Sequence, residues 1–316
     1  MLSIWIDYLF RREHEAMADR RLRQILHDHA PAMRDAVLQA FAADRNDLVR
    51  VATPDTLDRI ISNSLALRLG DEQFAREVFT DIRDQAVNAP ERWHDMTLDV
   101  DLSPLPDHPE YFAVTIRREY TTIPAFARRT FACTSDKQEY AEMALPHSET
   151  STWYLRSSDD FDASQREAYE LLQVSVNGQE RKIRRSARKH FQSYSVDLGA
   201  EVLSAGEPVT IAYTFRTVTR ATGNLLFFDI EQPTRDASIT LDYTGCGIEH
   251  ISAIDHIPSV RPTRIEHSPA DVPTRNIRVE IDGWVFPRAG VAFVWTVDHQ
   301  AGPSAGRLVE DQQAER

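Results

Sequence analysis

The spacing of the hydrophobic residues changes near residue 90, and this change constrains the fold more than any other feature of the sequence. Before it, apolar residues recur every three or four positions, which is the spacing of one face of an amphipathic helix. After it, apolar and polar residues alternate, as they do in half-buried strands. The sequence therefore predicts an α+β protein, with a helical bundle over residues 1–90 and a large antiparallel β-sandwich or barrel-like domain over residues 91–298.

Four helices are predicted in the first part of the chain, and the third has the clearest start and stop signals. Thr53 is placed to be its N-cap, Pro54 takes the first helical position, and Gly70 ends it. Two helices are predicted upstream, over residues 4–29 and 32–43, and one downstream. Because such helices carry apolar stripes that need covering, we predict that they can mediate oligomerisation.

The composition of the chain limits which partners and which cellular compartment we expect. The net charge of −13 opposes broad attraction to nucleic acid or to anionic membranes, which are themselves negative. Cys133 and Cys246 are too few for a disulfide framework, and the apolar run before Arg11 and Arg12 has the reverse of a signal peptide's charge order. We therefore expect a soluble cytoplasmic protein without a membrane span. The small, polar residues of the segment 299–316 predict a disordered tail.

A dense basic segment, residues 181–190, follows the turn signal Asn177-Gly178 in this otherwise acidic chain. If the segment is a strand, its period of two places Lys182, Arg184 and Arg188 on one face and Arg185 on the other. Such a row can bind a phosphate or another anion through charge-assisted hydrogen bonds. The alternative is a solvated edge strand, whose charges prevent pairing with other chains.

An aromatic segment near the C-terminus contains Trp284 and Trp295 on either side of a Pro-Arg-Ala-Gly connection. The pattern predicts a hairpin, because two apolar runs flank a short turn sequence. Both indoles are candidate ligand-binding residues on an aromatic wall. The alternative is that these large rings fill the core.

Cys246, His250 and His256 have spacing that metal ligands can have, but they match no zinc signature, such as paired Cys-x2-Cys or His-Glu-x2-His. We therefore predict no metal ion and no other cofactor.

No phosphate-binding glycine loop, nucleophile elbow or other catalytic signature occurs in the sequence, so enzymatic activity is left undecided. The leading hypothesis is a non-enzymatic ligand-binding or protein-interaction protein with a β-sandwich recognition domain. Its predicted partner is a protein or an anionic small molecule. The alternative is a sensor or enzyme that acts on a phosphate-bearing small molecule at residues 181–190, with metal support from the Cys246 region.

Overall fold

The computed structural model describes residues 29–32, 35, 53–144, 149–223, 225–257, 261–269 and 271–297. The chain divides into two compact units, residues 1–80 and 81–316. The predicted boundary near residue 90 stays a prediction. The tail predicted over residues 299–316 lies outside the described residues. So do the first two predicted helices, apart from helical backbone at residues 29–32 and 35.

Two helices are described in full between residues 54 and 82: α1 (Pro54–Leu69) and α2 (Glu72–Ile82). The end signals of α1 act as the sequence predicts, since the Thr53 hydroxyl accepts a hydrogen bond from the Thr56 amide at 3.3 Å. Gly70 adopts the left-handed conformation at φ 72° and donates its amide to the Ala66 carbonyl. The four-helix bundle itself is not shown, because only these two of its predicted helices are described. None of the described helices is long and apolar enough to cross a membrane.

The second unit begins with the end of α2 and a π-helical turn at Arg83–Val87, and it is otherwise built mainly of strands. Short helices lie at α3 (Lys137–Met143) and α4 (Ala200–Ala205). The strands within the described residues are β1 (Trp93–Pro104), β2 (Tyr111–Thr122), β3 (Arg128–Thr134), β4 (Thr150–Tyr154), β5 (Tyr169–Val176), β6 (Gln179–Glu180), β7 (Ile183–Arg188), β8 (Phe191–Asp197), β9 (Val209–Arg220), β10 (Leu225–Asp229), β11 (Thr234–Asp242), β12 (Ile248–His256), β13 (Arg264–His267), β14 (Asn276–Val285) and β15 (Gly290–Val297).

These strands form three open sheets. The largest has the order β13-β14-β11-β1-β2-β9-β5-β6, the second β4-β3-β8-β7 and the third β10-β15-β12. The predicted α+β class with a large β region is therefore confirmed. The barrel-like alternative is wrong, because no pairing among the described strands joins the two edges of any sheet. The pairs are antiparallel except β1 with β11 and β3 with β4, so the predicted wholly antiparallel pairing is also corrected.

The core lies between the sheets and follows the alternation in the sequence. On β1, Leu98, Val100 and Leu102 are buried whereas Asp99 and Asp101 are exposed. Side chains two positions apart share one face of a strand, so a period of two buries one face and hydrates the other. The strand predictions therefore identify the core-facing residues of this strand.

A fully buried ion pair joins the segment before β1 to β3. Glu91 is 1% exposed and Arg129 is 7% exposed, and the Arg129 guanidinium donates to the Glu91 carboxylate. The same carboxylate accepts the Ala125 amide at 2.9 Å and the Trp93 indole N–H at 3.2 Å. Burying a charge is costly unless it is paired and hydrogen-bonded. The Glu91 carboxylate meets both conditions, and the Arg129 charge is paired although its Nε has no hydrogen-bond partner among the described residues.

We predict that Glu91→Gln lowers the free energy of unfolding by about 3–5 kcal/mol, because it leaves the buried Arg129 charge without a counter-ion. Glu119→Gln is the matched control, since its ion pair with Arg117 is solvent-exposed and is expected to contribute under about 1 kcal/mol. Urea unfolding of both variants measures the difference. Equal losses in the two variants would contradict the role given to the buried pair.

Candidate functional site

A cavity of about 540 Å³ in the second unit is bounded by all three sheets. Strands β2, β5 and β9 contribute from the large sheet, β3 and β4 from the second, and β10 from the third. Its lining includes eleven aromatic side chains, which are Tyr111, Phe131, Tyr140, Trp153, Tyr154, Phe161, Tyr169, Tyr213, Phe215, Phe227 and Phe228. Aromatic walls with a few polar groups are typical of ligand sites.

Two sheet edges face this cavity. Strand β10 is at the edge of the three-stranded sheet, and β4 is at the edge of the four-stranded sheet. All five residues of β10 line the cavity, as do the consecutive residues 151–156 of β4 and its continuation. Successive side chains of a strand point to opposite sides, so an unbroken run of lining residues indicates that the strand edge itself faces the cavity. Edges of this kind present backbone N–H and C=O groups for pairing.

One carboxylate connects the three sheets at one end of the cavity. Glu231, directly after β10, accepts a hydrogen bond from the Arg118 guanidinium of β2. Its second oxygen accepts the Ser151 hydroxyl of β4 at 2.6 Å. Arg118 is 6% exposed and lies 5.8 Å and 5.9 Å from the ring centroids of Trp93 and Tyr213. The Arg118 and Glu231 charges therefore compensate one another.

Asp229 is the third charged group at this end, and it has no ion-pair partner among the described residues. Its side chain is exposed and lines the cavity. Desolvation by the surrounding protein raises the pKa of Asp229, the Glu231 carboxylate raises it further, and Arg118 opposes the shift. The pKa of Tyr140 is also raised, first by burial and then by Asp229 and Glu231. Burial is the larger cause of both shifts, and the neighbouring carboxylates add to it.

The cavity is long. Arg118 pairs with Tyr213 across β2 and β9, and Tyr111 pairs with Arg220 seven residues earlier on β2. At about 3.3 Å per residue, these two pairs are separated by about 23 Å. At the far end, the exposed Arg220 guanidinium lies 5.6 Å from the Tyr111 ring centroid. The cavity therefore has a carboxylate-rich end and an arginine end.

The structure places the predicted basic site away from this cavity, on and beside the edge strand β7. Arg185 donates to the Gln192 side chain at 3.0 Å and to the Ser164 carbonyl at 2.5 Å. Arg188 pairs with Glu139 and lies 4.3 Å from the Phe191 ring centroid. Lys182 and Arg184 are exposed and make no ion pair within the described ranges. Protein groups thus already engage two of the four predicted residues.

The structure does not bring Trp284 and Trp295 together. β14, which carries Trp284, belongs to the large sheet, whereas β15, which carries Trp295, belongs to the three-stranded sheet, so the predicted hairpin is wrong. The Gly290 backbone lies against the Phe228 carbonyl, where β15 pairs with β10. Trp295 is 1% exposed and donates its indole N–H to the Ala221 carbonyl at 2.8 Å, so it fills the core. Trp284 is 43% exposed and has an edge contact with His94.

Cys246, His250 and His256 do not converge. The Cys246 sulfur is buried 3.1 Å from the Leu102 carbonyl oxygen, whereas both histidines are exposed on β12. Within the described ranges, no group of three His, Cys, Asp or Glu residues is arranged to hold a metal ion.

The residues at the carboxylate-rich end were not among the predicted site residues, although the sequence does contain one signal for them. Val114, Ile116 and Tyr120 are apolar positions on the inward face of β2, and Arg118 falls in the same period. A charged residue at an inward position needs a buried partner. Glu231 and Ser151 carry no comparable signal, because they become neighbours of Arg118 only when the three sheets pack.

Comparisons with known proteins leave the family open. No family model matches the sequence, and no curated protein matches it. Three solved structures have low similarity. The first, from Parabacteroides distasonis and proposed to be a protease, is 6% identical with a TM-score of 0.38 over 65% of this chain and 40% of its own.

The second is Legionella pneumophila aminopeptidase A in complex with aspartic acid, which is 10% identical with a TM-score of 0.37 over 66% of this chain and 22% of its own. The third is an M1 zinc metallopeptidase from Deinococcus radiodurans, which is 9% identical with a TM-score of 0.33 over 64% of this chain and 41% of its own. This chain thus spans less than half the length of each. Similarity at this level assigns neither a fold family nor an activity.

We predict that Asp229→Asn stabilises the protein at neutral pH relative to acidic pH. A raised carboxyl pKa means that the folded state binds more protons than the unfolded state, so wild-type stability falls as pH rises through the folded pKa of Asp229. Asp229→Asn does not lose stability in this way, because the asparagine side chain does not titrate. Urea unfolding between pH 4 and pH 8 measures the difference in unfolding free energy between variant and wild type. A difference that does not grow with pH would contradict the prediction.

Proposed function

We propose that the second unit binds an extended peptide segment in the cavity between the sheets. The observation that carries this proposal is that two strand edges, those of β4 and β10, face one cavity. A peptide can add to such an edge as a further strand, with backbone hydrogen bonds providing affinity that does not depend on the peptide's side chains. This proposal refines the hypothesis of a non-enzymatic ligand-binding or protein-interaction protein.

The shape and lining of the cavity support a peptide over a compact small molecule. Its length of about 23 Å between the Arg118 and Tyr111 positions corresponds to about seven residues of extended chain. Aromatic side chains such as Trp153, Phe215 and Phe227 can receive the alternate side chains of a bound strand. We also propose that the sheets pack as a β-sandwich, which serves as the scaffold of the recognition site.

The polar groups of the cavity favour binding over catalysis. Glu231 is already engaged by Arg118 and Ser151, so these side chains are held in place by one another. Held groups of this kind fix the orientation of a ligand. The partner we propose is therefore a protein or peptide that presents an exposed, unpaired segment.

We predict that Gly223→Trp weakens peptide binding at least about tenfold, because an indole at this lining position occupies cavity volume. A Cβ at Gly223 would approach the Arg220 Cβ at 3.4 Å, an ordinary contact, so the fold should tolerate the change. The probes are peptides selected from a synthetic random hexapeptide library, and their affinities are measured by fluorescence anisotropy.

The matched control is Ala200→Trp, which adds the same indole at an exposed position at the start of α4, outside the cavity lining. It should bind the selected peptides as wild type does. If no peptide binds wild type, or if Gly223→Trp binds as tightly as the control, the proposed function is wrong.

A second candidate function is binding of a phosphate-bearing small molecule beside β7. Lys182 and Arg184 support it, since both are exposed and make no ion pair with the described residues. Unpaired cations near one another attract polyanions, and that attraction weakens with salt.

For this second candidate, we predict that ATP binding is lost in the double variant Lys182→Glu, Arg184→Glu. The control Arg59→Glu, Arg68→Glu changes the net charge equally at exposed positions on α1 and should keep ATP binding. Calorimetric titration at low and moderate salt measures both. Absence of binding to wild type, or equal loss in the control, would exclude a local anion site.

A further inference from the structure

The carboxylate-rich end of the cavity has one negative charge more than its positive charges. Arg118 and Glu231 compensate one another through their ion pair, and Asp229 remains without an ion-pair partner among the described residues. The charged and titratable groups around Asp229 are Glu231, Arg118 of β2 and Tyr140 of α3. Arg118 is committed to Glu231, and Tyr140 is a phenol. None of these three groups supplies a positive charge that is available to pair with Asp229.

An uncompensated carboxylate in a partly desolvated cavity is unfavourable, and a bound cation removes that cost. We propose that Asp229 binds a cationic group of the ligand, an ammonium or a guanidinium. This inference rests on the proposed function and names the chemistry that the cavity selects. A cation at this position would make a charge-assisted hydrogen bond to Asp229 while Glu231 stays paired with Arg118.

The surrounding structure favours a cation over an anion at this end. The Tyr140 ring lies on the same wall, and the face of an aromatic ring attracts a cation. An anion would meet the Asp229 carboxylate and could not use Arg118 without displacing Glu231 from its ion pair. Arg220, which makes no ion pair with the described residues, lies at the opposite end, about 23 Å away along β2.

A peptide has two sources of such a cation, its amino terminus and the side chains of Lys and Arg. Strand addition along β10 accommodates either source, since Asp229 is the last residue of that strand. An amino terminus would place the peptide end at Asp229. A side chain would let the peptide continue past it.

The test uses two synthetic random hexapeptide libraries that are anchored at the carboxyl end, one with free and one with acetylated amino termini. Both are screened against the full chain and against Asp229→Asn. We expect cationic groups to be enriched among peptides that bind wild type. Binding confined to the free-terminus library identifies the amino terminus as the cation, and enrichment of Lys and Arg among the binders of both libraries identifies the side chain.

For a selected cationic peptide, Asp229→Asn should raise the Kd about tenfold or more, the usual range for a hydrogen bond between charged groups. A neutral analogue, acetylated or with norleucine in place of Lys, should bind both proteins equally. Asp99→Asn is the matched control, since Asp99 is an exposed carboxylate on β1 outside the cavity lining. Asp229→Ser is a second variant, and thermal unfolding establishes that each variant is folded.

Two results overturn the inference, and they differ in what they leave standing. If acetylated peptides bind wild type without enrichment of Lys and Arg, or if folded Asp229 variants bind the cationic peptide as wild type does, the assignment to Asp229 is wrong while peptide binding stands. If neither library binds wild type, peptide binding and the assignment fall together.

Discussion

The arrangement of the second unit depends on the Glu231 carboxylate, where the three sheets meet. Glu231 follows β10 of the three-stranded sheet and accepts hydrogen bonds from Arg118 of the large sheet and from Ser151 of the four-stranded sheet. An ion pair of this kind adds little net stability compared with apolar packing, but it favours one arrangement, because any other leaves the buried Arg118 charge unpaired. This interaction therefore links β4 and the end of β10 to the large sheet beside one cavity.

Open sheets explain why such a cavity exists. Each sheet ends in edge strands, and natural proteins usually cover or charge such edges. The edge at β7 is charged, with Arg184, Arg185 and Arg188 along it, whereas β4 carries hydroxyl and aromatic side chains and β10 carries leucines and phenylalanines before Asp229. The β7 edge is thus protected from pairing by its charges, whereas the β4 and β10 edges face a cavity. On this account, a bound peptide pairs with backbone groups on the sides of β4 and β10 where no described strand pairs.

The sequence predicts local structure well and the cavity poorly, for physical reasons. Local signals act over a few residues, so the caps of α1 at Thr53 and Gly70 and the inward face of β1 could be predicted. Sheet order depends on packing between distant segments, such as β1 beside β11, and no local pattern encodes it. The hairpin prediction failed for this reason, since β14 and β15 pair with different sheets and Trp295 became a core residue. Arg118 could have been identified from its inward position on β2, but its partner could not.

The central claim is that the β4 and β10 edges bind an extended peptide, and hydrogen exchange of backbone amides tests it most directly. Exchange is followed by mass spectrometry with and without a peptide selected from the random hexapeptide library. The account predicts slower exchange in β4, β10 or both when the peptide is bound, because strand addition forms new hydrogen bonds to backbone amides along those edges. The outer edges of β7 and β12 should exchange at unchanged rates. Slower exchange at β7 or β12, with β4 and β10 unaffected, would contradict the account.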